Sequence, residues 1–183
     1  MDEAAQLFDV LKSFKTQEDL IRYCKEALGD VEKLHYDYKT KDDSRVANPG
    51  KPDKRNLAKA TSGFANSAGG VLIWGIEDKN VKAKPIKYAE RFLRYLLELA
   101  PIATEPAVQG VNGHFIPASE GDDGTGLALL FVPESDAGPH RVILEDKEIQ
   151  GHYYLRSGSS FLKASHSQLE ESQCDQPNNR LRA

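Results

Sequence analysis

The 183-residue chain is poor in cysteine, has no long apolar run and carries no excess of positive charge. Its two cysteines, Cys24 in a helical pattern and Cys174 in a polar tail, suit neither a disulfide framework nor a zinc site. No apolar stretch approaches the roughly 20 residues that cross a bilayer, and Met1 to Asp9 lacks the basic start and apolar core of a secretory leader. A cytoplasmic protein with no membrane partner is therefore expected. Lys and Arg number 24 against 28 Asp and Glu, a formal net charge of −4. Proteins that bind nucleic acid displace counterions with cationic side chains and tend to be basic, so this balance argues against such a partner unless the charge is sorted locally. The sorting is visible: Lys51, Lys54, Arg55 and Lys59 form one basic group, while Asp2, Glu3, Glu170, Glu171 and Asp175 load the two ends with acid. Internal repeats are missing too. So is a phosphate-cradling P-loop, because Asn66 to Gly70 lacks the Gly-x-x-x-x-Gly-Lys pattern and follows a helix instead of a strand. The five histidines, His35, His114, His140, His152 and His166, have no ligand-like spacing.

What is present reads as one domain, since 183 residues are enough for a substantial core and too few for two comfortable ones. Asp2 to Phe14 and Gln17 to Leu28 carry apolar residues at helical spacing, with Gly29 ending the second helix. Leu34 to Lys39 alternates, placing Leu34, Tyr36 and Tyr38 on one side and His35, Asp37 and Lys39 on the other, the pattern of a half-buried strand. Lys41 to Lys54 reads as an exposed loop, with Pro49-Gly50 and Pro52 excluding regular structure. Tyr88 to Leu99 is an amphipathic helix stopped by Pro101. Asn112-Gly113, flanked by β-formers, predicts a hairpin turn. Leu127 to Val132 and His152 to Arg156 read as strands, Glu120 to Gly126 as a loop, and Gln173 to Ala183 as disordered or the start of a linker.

The most informative segment is Leu57 to Asp78, LAKATSGFANSAGGVLIWGIED. Leu57, Ala60, Phe64 and Ala65 recur at helical spacing, Asn66 to Gly70 breaks the pattern, and Val71 to Ile76 is a β-rich run entering Glu77 and Asp78. Trp74 sits mid-run, where core is its simplest role. Phe-Ala-Asn-Ser, Gly-Gly, a strand and Gly-Ile-Glu-Asp together resemble the signature of the Schlafen-type AlbA-like domain. Upstream, Glu32 and Asp37-Tyr38-Lys39 stand where the family has a glutamate followed five residues later by Glu-Phe-Lys. Downstream, His152 to Ser160 is similar to the family's closing strand Tyr-Tyr-Ile-Arg-x-Gly-Ser, preceded by Pro139. The resemblance spans about Glu32 to Ala164. It implies an α+β domain with a mixed sheet and flanking helices, comprising residues 31–165, behind a helical N-terminal extension at 1–30 and ahead of a polar tail at 166–183.

The resemblance also implies nucleic-acid binding and, in some members, RNA cleavage at carboxylates holding a divalent ion. Here those would be Glu32, Asp37 and Glu77 or Asp78, with Glu32, Asp37 and Glu77 as ligands for Mg²⁺ or Mn²⁺, hard cations that prefer oxygen. Asp37 stands where the family has glutamate, one methylene shorter. From spacing alone a solvated strand end and a turn is the simpler reading of the same acids, and the resemblance is what sets the metal site beside it. Phosphate contacts are expected from Lys39, Lys54, Arg55, Lys59, Arg141, Arg156 and Ser159: forked or flexible donors beside a helix N-terminus and a Ser-Gly-Ser-Ser loop. The alternatives are the charged outer face of a helix for Lys54, Arg55 and Lys59, an ordinary exposed strand end for Lys39, and for Arg156 an arginine pairing with a carboxylate at a sheet edge. The expected function is backbone binding of DNA or RNA with little sequence readout, as in a transcriptional regulator; the alternatives are a metal-dependent endoribonuclease and an oligomerising interaction module, with a homodimer as one arrangement. The tail fits a stand-alone protein or an excised domain.

Overall fold

The computed structural model describes residues 2–28, 34–121, 124–165 and 168–169. Glu32, the expected helix stop at Gly29, and the tail from Glu170 onward lie outside the described residues.

Two short helices open the fold. Glu3–Leu11 (α1) starts at Asp2, whose carboxylate accepts the Ala5 N–H, and Gln17–Glu26 (α2) starts at Thr16, whose hydroxyl accepts the Asp19 N–H. Tyr36–Lys39 (β1) follows, then Lys51–Ala65 (α3). That helix begins four residues earlier than the expected loop allowed. Pro52 lies in its first turn, where a missing N–H costs nothing because that donor has no partner inside the helix. Asp53 completes the start, accepting the Gly50 and Asp42 N–H groups. The expected exposed loop is also anchored: the Lys41 ammonium is fully covered, donates to the Asp43 and Asn48 carbonyls, and lies 5.0 Å from the Phe92 ring centroid.

Gly70–Trp74 (β2) is buried along its length. Gly75, with φ +96°, breaks it from Ile76–Glu77 (β3), which pairs with Lys82–Ala83 (β4) across the one-turn segment Asp78–Asn80. Ala89–Leu99 (α4) gives way to a 3₁₀ turn, Ala100–Ile102, containing Pro101, and then to Thr104–Glu105 (β5). Asn112–Pro117 (β6) and Gly126–Val132 (β7) form a long antiparallel pair, followed by Arg141–Val142 (β8), Tyr154–Ser157 (β9) and Ser160–Lys163 (β10).

The main sheet has the order β1-β2-β7-β6, with β1 parallel to β2 and the other pairs antiparallel. It is a mixed sheet with helices on both faces, an α+β architecture. One face packs Leu72, Trp74, Ala128 and Leu130 against α3 and α4, with Trp74 meeting Phe92 edge-on at 5.3 Å. The other packs Tyr36, Tyr38, Ile73 and Leu129 against Phe8, Leu11, Leu20 and Cys24, so α1 and α2 cover the sheet and complete its core. Burial under that layer pushes the Cys24 thiol up to about 11, leaving it an inert core side chain.

Asn112-Gly113 is not the turn its dipeptide suggested. Every residue from Asn112 to Pro117 pairs with β7, and a Cβ on Gly113 would stand 2.7 Å from Leu93 Cδ1. The glycine is there for the close approach of α4; a local turn preference has yielded to tertiary pairing.

Candidate nucleic-acid interface

The signature segment is first of all a set of fasteners. At the end of α3, the Ser62 hydroxyl donates to the His140 carbonyl and accepts the Tyr154 N–H. Asn66 donates through Nδ2 to the carbonyls of His140 and Tyr154, each at 3.1 Å, and accepts the His140 N–H through Oδ1 at 2.7 Å. The Ser67 hydroxyl accepts the Arg156 N–H. Gly69 takes φ +68°, and Gly70 leaves room for Phe64, whose ring would lie 2.2 Å from an added Cβ. These contacts fix β9 along α3 and aim Arg156 at β1.

Arg156 takes the place described by its alternative reading, against a carboxylate at a sheet edge. Tyr154 and Arg156, two apart on β9, both point inward. The guanidinium is wholly covered, donates to the Tyr36 carbonyl at 2.6 Å, and lies 4.5 Å from the Phe161 ring centroid and 5.4 Å from that of Phe64. Burial lowers its pKa, and the charges of Asp37 and Asp78 oppose that fall.

Asp37 answers it from mid-β1. Its side chain is almost fully covered, so the face expected to be wet is closed by the β9 hairpin. Oδ2 lies 2.6 Å from Lys39 Nζ and Oδ1 3.6 Å from Arg156 Nη2. With two cations already against the carboxylate, Asp37 is a poor ligand for a divalent ion. Glu77 is half-buried on β3 opposite Lys82, and Asp78 is exposed on the turn that follows. Among the described residues no three His, Cys, Asp or Glu side chains form a metal-binding group. Glu32, the first of the three ligands that the resemblance implied for Mg²⁺ or Mn²⁺, lies outside the described residues.

Other expected contacts are also engaged within the chain. Arg55 forks onto Asp146, with Nε and Nη2 at 3.1 and 3.0 Å from Oδ2, and reaches Glu148 at 2.6 Å. The Asp146 carboxyl is held below its ordinary value first by the Glu148 N–H and then by Arg55. Arg141 pairs with Glu105 at 2.8 Å, and Lys59 lies 5.7 Å from the Tyr154 ring centroid. Lys54 and Ser159 are exposed. The basic group read from the sequence is thus divided: Lys54 faces solvent, while Arg55 ties α3 to the 145–148 turn.

The family model described as Schlafen, AlbA_2 matches residues 32–165. The chain belongs to the Schlafen AlbA_2 family. The match starts after α1 and α2, so these helices precede the AlbA_2 region in sequence while closing one face of its sheet. A crystal structure of the DIP2311 protein from Corynebacterium diphtheriae has the same fold, with a TM-score of 0.55 and 22% identity over 87% of this chain. The AlbA_2 chain spans 32% of that protein. A comparison with curated proteins gave no match.

The strongest cationic feature of this AlbA_2 domain was missed in the sequence. Between residues 79 and 94 stand Lys79, Lys82, Lys84, Lys87, Arg91 and Arg94, against Glu90 as the single acid. All six cations are exposed, and none forms an ion pair among the described residues. In sequence these six run from the turn of the β3–β4 hairpin onto the first two turns of α4. Its signal, six cations in 16 residues, was legible; the fragments fell in two different elements and were not added together.

Proposed function

We propose that this domain binds nucleic acid through the sugar–phosphate backbone, with little sequence readout. The carrying observation is the run from Lys79 to Arg94: six solvent-facing cations without carboxylate partners among the described residues, in a chain that is acidic overall. Cations already neutralised by the fold, such as Arg55 and Arg156, have little to offer a phosphate; unpaired ones release counterions when they meet it. Lys54 and Ser159 adjoin other parts of the surface and make secondary contacts.

The reading is tested by the anisotropy of labelled DNA and RNA oligonucleotides across a salt series. Engagement of most of the strip predicts a plot of log affinity against log salt with a slope of about −3 to −5. A flat salt response, or no binding at low salt to any nucleic acid, removes the reading. The endoribonuclease alternative lacks a comparable observation, because Asp37 is already matched by Lys39 and Arg156.

A further inference from the structure

Beside the cationic strip stand two features that the fold itself does not use. Tyr88, at the N-cap of α4, is 42% exposed, makes no side-chain cap bond, and has Lys87 Nζ 5.5 Å from its ring centroid. Farther along the same helix, Arg94 borders an open cavity of about 440 Å³ between α4 and β6. Leu93, Leu97 and Phe115 give the cavity apolar walls, and Glu90 and Arg94 give it an acceptor and a donor. The volume suits a small planar group, and mixed lining of this kind is typical of ligand pockets.

The edge of the sheet adds a second source of polar contact. The Ala118 N–H bonds to the Thr125 carbonyl, and the pairing register is unbroken from there to Asn112. Antiparallel alternation then turns the backbone groups of Ile116 and His114 toward β7 and those of Gly113 and Phe115 toward open solvent. The Gly113 N–H accordingly bonds to its neighbour's Asn112 Oδ1 and not to β7.

We infer that an unpaired nucleic-acid strand lies across the solvent side of α4, with one base stacked on Tyr88 at one flank of the helix, another in the cavity beside Phe115 at the other, and phosphates on Lys87, Arg91 and Arg94 between them. The inference rests on the nucleic-acid reading above and narrows its substrate. In a duplex the base faces are stacked on one another and the Watson–Crick edges are occupied. An exposed ring, an apolar slot with a donor and an acceptor, and outward backbone groups are useful only to bases that are splayed out. Charge alone does not discriminate: the strip attracts both forms, and the ring and the cavity favour the single strand.

The test is the anisotropy of one labelled pyrimidine-rich oligonucleotide, single-stranded and annealed to its complement, at low salt. The single strand is expected to bind at least about tenfold more tightly. Tyr88→Ala should weaken the single strand by about tenfold and narrow the gap between the two forms, whereas Tyr88→Phe, which keeps the ring, should retain the preference. Equal affinity for both forms, unchanged in Tyr88→Ala but weakened when Lys82, Lys84 and Arg91 are reversed to Glu, overturns the single-strand inference and leaves backbone binding standing. Failure of the native protein to bind either form overturns both.

Discussion

Asp37 and Arg156 face each other between β1 and β9 with Oδ1 and Nη2 3.6 Å apart, the two residues 7% and 6% exposed. The positions in which the sequence suggested a metal ligand and a phosphate contact are thereby each other's partners. Arg156 also satisfies the Tyr36 carbonyl on the open side of β1, so one side chain closes a sheet edge and balances a buried carboxylate.

Removing the carboxylate should therefore be costly. Asp37→Ala leaves the covered guanidinium without its counter-charge, and breaking a buried pair in this way costs about 3–5 kcal/mol. Urea unfolding should show that loss, against less than about 0.5 kcal/mol for Lys54→Ala at an exposed site. Native-like stability of Asp37→Ala would mean that the pair does not hold β9 in place.

A second pair gives a pH dependence of known sign. The Asp146 carboxyl is depressed in the fold by the Glu148 N–H and by Arg55, so its contribution is present above the ordinary value of 3.8 and is lost as the pH falls through the lower folded value. Asp146→Asn should accordingly melt below the native protein at neutral pH, and the two curves should converge in acid. A gap between them that does not change with pH would remove the ion pair as its cause.

Divalent ions should leave the melting temperature unchanged. A ligand held only by the folded state raises it by mass action, and the cations against Asp37 argue against such a site. A rise with Mn²⁺ that disappears in Glu32→Ala would restore the metal-site reading, and RNA cleavage dependent on the same ion would restore the nuclease.

Much of the fold was legible in local pattern. Helical spacing in α1, α2 and α4, the apolar run of β2 around Trp74 and the family-like central block all report the side of an element that meets the core, and the core dominates their energetics. Two local signals misled. Pro52 looked like a helix breaker, although the first turn tolerates it, and Asn112-Gly113 looked like a turn, although Leu93 needs the glycine inside a strand. The site was harder to read because charge has no periodicity. Whether a cation is paired depends on residues far away in sequence: Arg55 finds Asp146 and Arg156 finds Asp37, while Lys82 and Lys84 form no ion pair among the described residues. Alternation along β9 did place Arg156 on the same inward side as Tyr154, a clue that outweighs its similarity to a phosphate-binding loop.

The central claim is that the strip from Lys79 to Arg94 carries nucleic-acid binding, and two charge-reversal triples compared by anisotropy test it most directly. Lys82→Glu, Lys84→Glu and Arg91→Glu alter the exposed strip, while Lys54→Glu, Arg55→Glu and Lys59→Glu alter the group at the start of α3, each checked for a native circular dichroism spectrum. The first triple should weaken low-salt binding by at least about tenfold and flatten the remaining salt dependence, while the second retains most of the affinity. Retained binding in the first triple, with loss in the second, would contradict the claim and return the interface to α3.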